Sequence, residues 1–367
     1  MNTESISSRN LRALLILMVL CTSLLGGAFS VKQDSWIAVL CIGIFYLPLL
    51  LLYSRICSLF PGKNLFDIIQ EVFGHIGGTV VFLLMTLYAV AGTALQLRNF
   101  TELTAVISLN DTPHIPLMIV LLLPAMYIAK GGVKLIGRWA AVACVIIAGN
   151  IAFTVLFSLN IVDPTNLLPV MDHSLSQISS DAFALGAIAV GETVMAMAMF
   201  GGVRKGESAY KIYLPGALLG VCLFALVIIR NILILGAELE QEAKFSTYMA
   251  ARIISVGSFF ERVESFISFS LILLAFTKMS VFLSAASMGT ARLFKSQNSN
   301  GFLMPFGLLT LALSSVVFKN TFEMYEFARA YWVVALPFQA LIPMILWIKA
   351  EIKVRRARGK AKRLPET

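Results

Sequence analysis

Two side chains of opposite charge lie within strongly apolar stretches of this sequence. Lys278 lies in the run at 274–282, and Glu192 lies in another run at 182–200. A charge at the centre of a lipid bilayer costs about 3 kcal/mol on insertion scales, so it needs a partner or a wet cavity. We therefore predict that Glu192 and Lys278 face one polar cavity and either pair or share a ligand. A purely structural ion pair between helices is the alternative for Lys278.

Glycines and small polar residues interrupt two of the apolar runs. Thr22 and Ser23 precede Gly26 in the first run, and Gly191 precedes Glu192 in the sixth. Lipid cannot satisfy the backbone groups that a helix break frees, so such a break faces a cavity or other protein. Breaks at corresponding places in two halves indicate a midplane binding site, where freed amides can hold a carboxylate. A close helix-packing contact at the glycines is the alternative.

Outside these two features, few residues lie in a pattern that indicates a chemical role. Arg98 and Glu102 are four residues apart, so they can pair on one helix face, and Tyr88 can supply an aromatic wall with a hydroxyl deeper in the same run. The sequence has no phosphate loop, no nucleophile–His–acid arrangement and no zinc signature. We therefore predict that the protein is not an enzyme and has no metal site and no cofactor.

The composition determines the class of protein. Of the 367 residues, 58% are hydrophobic and 13% are charged, with a mean hydropathy of +0.85, whereas a soluble chain is about 25% charged. This excludes a soluble enzyme, a secreted disulfide-rich domain and a disordered scaffold. The chain is predicted to be an all-α membrane protein that crosses the bilayer several times.

The apolar runs predict ten transmembrane helices in a single membrane domain covering residues 1–367. No connection is long enough to bury a separate core. Asn64 predicts the start of a short amphipathic helix over 65–73 that ends at Gly74 and lies at the inner interface, and 245–258 is predicted to do the same outside. The predicted spans are 11–31, 36–59, 77–99, 115–129, 138–159, 182–200, 212–235, 263–290, 301–318 and 332–348.

Basic residues indicate the orientation. With the N-terminus inside, the inner segments hold twenty Lys and Arg residues and the outer ones eight, and eight of the twenty lie in the tail at 349–367. This asymmetry predicts that both termini are cytoplasmic. We therefore expect the positive surplus, a net charge of +9, to face anionic lipid. No nucleic-acid partner is predicted.

Several short segments resemble one known family. They are KQDSWIA at 32–38, LRNFTEL at 97–103, the glycine pair at 131–132 with Arg138, NLLPV at 166–170, GETV at 191–194, RVESF at 262–266 and FTKMS at 276–280. Their order and spacing across residues 11–355 resemble the B subunits of bacterial spore germination nutrient receptors. These endospore germination permeases belong to the amino acid–polyamine–organocation superfamily.

The resemblance implies a LeuT-like five-plus-five inverted repeat, with repeat one at about 11–159, repeat two at about 178–348, and helices 1 and 6 interrupted. Some relatives have Gly-x-Glu where this chain has Gly191 and Glu192, and one residue of register turns a side chain by about 100°. The direction of Glu192 therefore stays open. By position in that fold, the implied ligand pocket draws on Thr22, Ser23, Gly26, Tyr88, Gly191, Glu192, Thr277, Lys278 and Phe282.

The resemblance also implies a function and partners. The protein would bind a small germinant, an amino acid or a sugar, and signal to a membrane A subunit and a lipoprotein C subunit in the spore inner membrane. Glycines near the sixth span, among them Gly186 and Gly201, are candidate hinges, and the loop at 203–207 is a candidate relay. A proton-coupled amino acid permease is the alternative function, and an ion pore is a third.

Overall fold

The computed structural model describes residues 6–27, 30–108, 112–203, 206–254 and 264–361. These ranges are helical, with one isolated backbone bridge between Ile6 and Val203 and no strand among them. Within these ranges, eight helical segments are long and apolar enough to cross a membrane, and two shorter apolar helices lie at the fourth and ninth predicted spans. The ten segments are α1 (Ser8–Leu25), α2 (Lys32–Leu59), α3 (Leu65–Val106), α4 (His114–Lys130), α5 (Gly132–Ser158), α6 (Leu175–Gly202), α7 (Ala209–Leu235), α8 (Glu264–Leu293), α9 (Asn300–Val316) and α10 (Thr321–Ala357).

The two predicted interruptions are present. In α1 the regular helix Ser8–Leu20 tightens into a 3₁₀ turn, Cys21–Leu25, and ends at Gly26, whose φ of +82° is accessible mainly to glycine. In α6 the regular helix Leu175–Ala189 gives way to a 3₁₀ helix, Gly191–Gly202. Runs of 3₁₀ helix longer than three or four residues are uncommon, and inside a helix they often mark a hinge.

Three further segments are divided. A break at Tyr46 separates Ser35–Phe45 from Leu47–Leu59 in α2, which begins with the turn Lys32–Asp34. The helix of α3, Leu65–Ser108, has one non-helical residue, Gly74. The helix of α10 consists of Thr321–Leu336, a π-helical turn at Pro337–Leu341, and Ile342–Ala361.

The short helix predicted over 65–73 is confirmed as the first part of α3, with its predicted start and its predicted end at Gly74. Asn64 Oδ1 accepts the backbone N–H of Asp67 at 3.0 Å, and the chain turns at Gly74, where φ is +72°. The start predicted for the tenth span, residue 332, is wrong, because the helix begins at Thr321 under an Asn320 cap. Its first turns carry charged side chains such as Glu323, which lowered the apolar signal.

Short helices connect the long ones at the end of the molecule opposite the termini. Pro164–Leu167 follows α5, Ala237–Glu242 follows α7, and Ser246–Ile253 comes next. The last confirms the helix predicted from residue 245, although residues 255–258 of that prediction lie outside the described ranges. At the other end of the molecule, the turn Asn300–Phe302 begins α9.

Burial divides the helices into an inner and an outer set. Within the most apolar stretch of each helix, 94% of the residues of α6 and 78% of those of α1 are buried inside the protein, whereas only 28% are buried in α5 and in α10. Helix α8 packs along α3 and α4, and α1 packs along α7 and α5. The inner helices α1, α3, α6 and α8 therefore bring their side chains together away from lipid.

The start of α1 and the end of α10 lie at the same end of the molecule. The N–H of Ile6 donates to the Gly202 carbonyl at 2.7 Å, which places the start of α1 beside the end of α6. At that end Arg55, near the end of α2, forms an ion pair with Glu351 at 2.6 Å. The expectation that both ends share one side of the membrane agrees with this geometry, and the cytoplasmic assignment stays a prediction.

Candidate functional site

An ion pair between Lys278 and Glu192 lies in the interior. The Nζ of Lys278 is 2.7 Å from Oε2 of Glu192, and the two side chains are 1% and 3% exposed. The same ammonium donates to the carbonyl of Ile188 at 3.1 Å. That carbonyl lies just before the α-to-3₁₀ change in α6, so Lys278 satisfies both a buried carboxylate and a backbone group beside the break. The predicted pairing is therefore present, and Glu192 points toward α8.

The pair also contacts α3 through an amide side chain. Gln96 Nε2 donates to Oε2 of Glu192 at 3.5 Å, and the Sγ of Cys21 lies 3.9 Å from Gln96 Oε1. Residue 21 is the first of the 3₁₀ turn in α1. The four helices that the resemblance named for the pocket therefore meet around Glu192.

A second polar network, centred on Gln339, lies against the same break. Gln339 Nε2 donates to the hydroxyl of Tyr88 and to the carbonyl of Ala187, each at 2.8 Å. The hydroxyls of Tyr88 and Tyr331 are 3.0 Å apart. Tyr53 donates to the Gln339 carbonyl at 2.5 Å. These bonds join α2, α3, α6 and α10, and they use the π-helical turn of α10 to place Gln339.

Gly191 permits this close approach. A Cβ on Gly191 would lie 1.9 Å from Oε1 of Gln339 and 2.4 Å from its Cδ. The carbonyl of Gly191 accepts a bond from Tyr53 at 3.4 Å. Gly191 therefore lets the amide of Gln339 lie on the backbone of the break.

Aromatic rings form one wall beside these networks. Tyr88 stacks on Phe338 with centroids 4.8 Å apart and lies 6.2 Å from Phe282. Phe282 itself packs onto Gly92, where a Cβ would lie 2.3 Å from the ring. The aromatic wall predicted for Tyr88 is therefore present, with Phe282 as part of it.

The other predicted pocket residues contact different groups. Thr277 accepts a bond from Trp139 Nε1 at 3.0 Å, on the α5 side of α8. The carbonyl of Ser23 accepts Thr247 Oγ1 at 2.8 Å, and Gly26 lies close to the hydroxyl of Ser246. Thr22 is buried, and within the described ranges its hydroxyl has no hydrogen-bond partner. The structure thus brings five of the nine residues together, and a ligand-binding role for all nine stays a prediction.

The candidate glycine hinges are sites of tight packing. A Cβ on Gly186 would lie 2.2 Å from the ring of Tyr46, and one on Gly201 would lie 3.0 Å from the Cβ of Asn64. Movement at these positions therefore requires α2 or the start of α3 to move as well. The hinge role stays a prediction, as does the relay at 203–207, of which residues 204–205 lie outside the described ranges.

A small cavity of about 30 Å³ adjoins Glu192. Its walls include Leu25 of α1, Gln96 of α3 and Tyr331 of α10. This volume holds about one or two water molecules, whereas small-molecule pockets usually exceed about 300 Å³. The site is therefore closed around the ion pair.

Sequence reasoning missed several polar residues at this site. Gln96 and Gln339 are both at least 94% buried. Both lie inside predicted spans, so the cost argument that singled out Lys278 could have found them. Arg230 lies near the end of α7, is buried there, and donates to Thr154 Oγ1 at 2.9 Å. Polar side chains within the fold therefore accommodate its guanidinium.

The predicted Arg98–Glu102 pair is confirmed. The guanidinium and carboxylate are 2.7 Å apart and nearly fully buried. The hydroxyl of Thr321 donates to Glu102 at 2.9 Å, which ties the end of α3 to the start of α10. Among the residues that the structure describes, no three His, Cys, Asp or Glu side chains are placed to hold a metal ion.

Comparison of sequences matches the chain to known proteins over nearly its whole length. The family model described as "Spore germination protein" matches residues 5–323. Spore germination protein KB of Bacillus subtilis (strain 168) is 29% identical over 367 residues, which cover 97% of both proteins. The putative spore germination protein YfkT of the same organism is 23% identical and covers 87% of both.

Comparison of structures shows the fold. The transporter Mhp1, of the nucleobase-cation-symport-1 family, in a closed conformation with bromovinylhydantoin bound, matches with a TM-score of 0.65 at 12% identity, covering 94% of this chain and 78% of that one. The inward-facing conformation of Mhp1 matches with a TM-score of 0.55. The fold is all-α and LeuT-like, as the resemblance implied, and the count of ten spans stays a prediction.

Proposed function

The chain belongs to the spore germination protein family, and from that premise we propose that it is the nutrient-sensing membrane subunit of a spore germinant receptor. It binds a small germinant of the amino acid or sugar class in the pocket between α1, α3, α6 and α8. It signals to a membrane A subunit and a lipoprotein C subunit in the spore inner membrane, with both of its termini in the cytoplasm.

The buried Lys278–Glu192 pair is the observation that carries this proposal. An ammonium and a carboxylate 2.7 Å apart are complementary to the two charged groups of an amino acid. A ligand that inserts between them replaces one ion pair with two, so it does not leave a buried charge unpaired. For a sugar, the amides of Gln96 and Gln339 and the hydroxyl of Tyr88 supply hydrogen bonds.

Closure of the site supports sensing. A ligand shifts a conformational equilibrium only if it binds one state better than another. The ion pair stabilises the closed state, whose cavity of about 30 Å³ is too small for a germinant. Ligand binding therefore selects a state in which α6 and α8 have separated around the pair, and this difference in shape is the signal to the partner subunits.

The test is a germination assay on spores that carry variants of this chain. Gln96→Leu and Tyr88→Phe each remove one polar group and leave the ion pair intact. We expect each to raise the germinant concentration for half-maximal response by about tenfold, since one hydrogen bond to a bound ligand is worth about 1 kcal/mol or more. Lys295→Met, on an exposed turn, is the control. Unchanged responses in both pocket variants, at normal protein levels, would contradict the proposed pocket.

A proton-coupled amino acid permease is the second candidate, and the same ion pair favours it, because a buried carboxylate beside an ammonium can also carry a proton. Reconstitution in liposomes separates the two functions. A sensor binds the germinant without net uptake, whereas a permease accumulates it when a proton gradient is applied.

A further inference from the structure

A larger cavity opens at the end of the molecule opposite the termini. It has a volume of about 270 Å³, and we call it the outer vestibule. Its walls are Leu25 and Gly27 at the end of α1, residues 240–244, and the first turns of α10. Leu25 also lines the small cavity beside Glu192. The outer vestibule therefore lies directly outside the inner pocket and is separate from it.

A buried carboxylate forms the back wall of the outer vestibule. Glu240 is 2% exposed, and its Oε1 accepts the N–H of Gly27 at 2.9 Å and the hydroxyl of Ser246 at 3.0 Å. Its other oxygen, Oε2, is buried and has no hydrogen-bond partner among the described residues. A buried acceptor without a donor costs free energy, more so when it is ionised. The site is therefore missing a donor at Oε2.

A second unsatisfied polar atom lines the same cavity. The hydroxyl of Tyr325, on the second turn of α10, is buried and likewise finds no hydrogen-bond partner in the part of the chain that the structure describes. The lining also includes Phe322, whose ring gives an apolar surface. Glu240, Glu242 and Glu326 line the cavity together with two basic residues, Lys244 and Arg329, which leaves a surplus of one carboxylate. The missing donor therefore fits a cation that carries hydrogens and an alkyl group.

We propose that the outer vestibule binds a small organic molecule through a primary ammonium group. The ammonium donates to Glu240 Oε2 and to the Tyr325 hydroxyl oxygen, and its three N–H groups are enough for both. The alkyl part lies against Leu25 and Phe322. The burial of Glu240 is compatible with an ammonium ligand, because a charge-assisted hydrogen bond offsets the desolvation of the carboxylate.

The same carboxylate connects the outer vestibule to α1. Glu240 Oε1 holds the N–H of Gly27, and Thr247, in the next short helix, donates to the carbonyl of Ser23 at 2.8 Å. The segment 240–247 thus forms hydrogen bonds to the backbone on both sides of the break at Gly26. Because Glu240 also hydrogen-bonds to the end of α1 at Gly27, an ammonium bound at Oε2 can shift the position of that end.

The experiment uses the purified full-length chain in lipid nanodiscs and calorimetric titration. The probes are isobutylammonium chloride, the neutral isostere isobutanol, and potassium chloride at equal ionic strength. We expect saturable binding of isobutylammonium and none of isobutanol. Glu240→Gln keeps an acceptor for Gly27 but removes the charge, and it should weaken binding about tenfold or more.

Two further variants keep the result decisive. Tyr325→Phe removes only the phenolic oxygen and should weaken the binding of isobutylammonium several-fold. This variant tests the proposal if Glu240→Gln does not fold. Glu238→Gln, on the same short helix but exposed and paired with Lys32, should bind like the unchanged chain. Equal binding of isobutanol, displacement by potassium at equal concentration, or full binding by Glu240→Gln overturns the proposal.

Discussion

At the scale of single residues, the Lys278–Glu192 pair links stability to the site. Lys278→Met leaves the Glu192 carboxylate buried without its cation, and removing one partner of a buried pair costs about 3–5 kcal/mol. Adding Glu192→Gln should recover much of that loss, since a neutral amide needs no counter-charge. Thermal unfolding in detergent measures both. A double variant no more stable than Lys278→Met would show that the two side chains act independently.

Gly191 offers a second test at this scale. Gly191→Ala places a Cβ on Gln339, whose amide is held by Tyr88 and Ala187 and cannot move without losing those bonds. We expect a loss of roughly 1–3 kcal/mol of stability, as for overpacking. Adding Gln339→Ala should relieve the clash. Gly149→Ala in α5, which has open space around it, is the matched control and should fold normally.

At the scale of elements, the segment that holds the end of α1 has a predicted pH response. Burial raises the pKa of Glu240 to about 7, from 4.5. A carboxyl whose pKa is higher in the folded chain binds more protons when folded, so its stabilising contribution is complete at low pH and falls as the pH rises from about 4.5 to above 7. The charged groups around it are Glu242, Lys244, Glu326 and Arg329.

The measurement is the unfolding temperature at about pH 5 and pH 8. The unchanged chain should lose stability across this range, and Glu240→Gln should lose less, because an amide does not titrate. Glu238→Gln removes an exposed carboxylate from the same short helix and should follow the unchanged chain. Identical profiles for all three proteins would mean that Glu240 is ionised at both pH values.

The elements also show what the sequence could predict and what it could not. The breaks at Gly26 and Gly191 and the pairing of Glu192 were predictable, because lipid makes an unsatisfied backbone group or charge expensive wherever it occurs. Gln339 was not placed, because its position depends on a π-helical turn in α10, which a pattern of apolar residues does not predict. Glu240 was missed because a carboxylate in a connection is expected to be solvated, and only tertiary packing buries it.

At the scale of the whole molecule, the burial pattern places the breaks inside the protein and the lipid-facing helices outside. The inner helices α1 and α6 carry the breaks, and the outer helices α5 and α10 expose most of their apolar surface, as expected for lipid contact. The small cavity at Glu192 and the outer vestibule lie in line along α1 and α10. We therefore expect the proposed ligand to reach the ion pair from the vestibule end, past Leu25.

The direction of that path depends on orientation, which labelling can establish. The termini and the α8–α9 turn lie at one end, and the start of α6 lies at the other. In a cysteine-free chain, Gln297→Cys and Ser176→Cys each place one thiol at an exposed position. Because the basic surplus lies at the end with the termini, we expect an impermeant maleimide to label residue 297 only in inside-out vesicles and residue 176 only in right-side-out vesicles. The reverse pattern would place the outer vestibule in the cytoplasm, and an external germinant would then have no open route to Lys278.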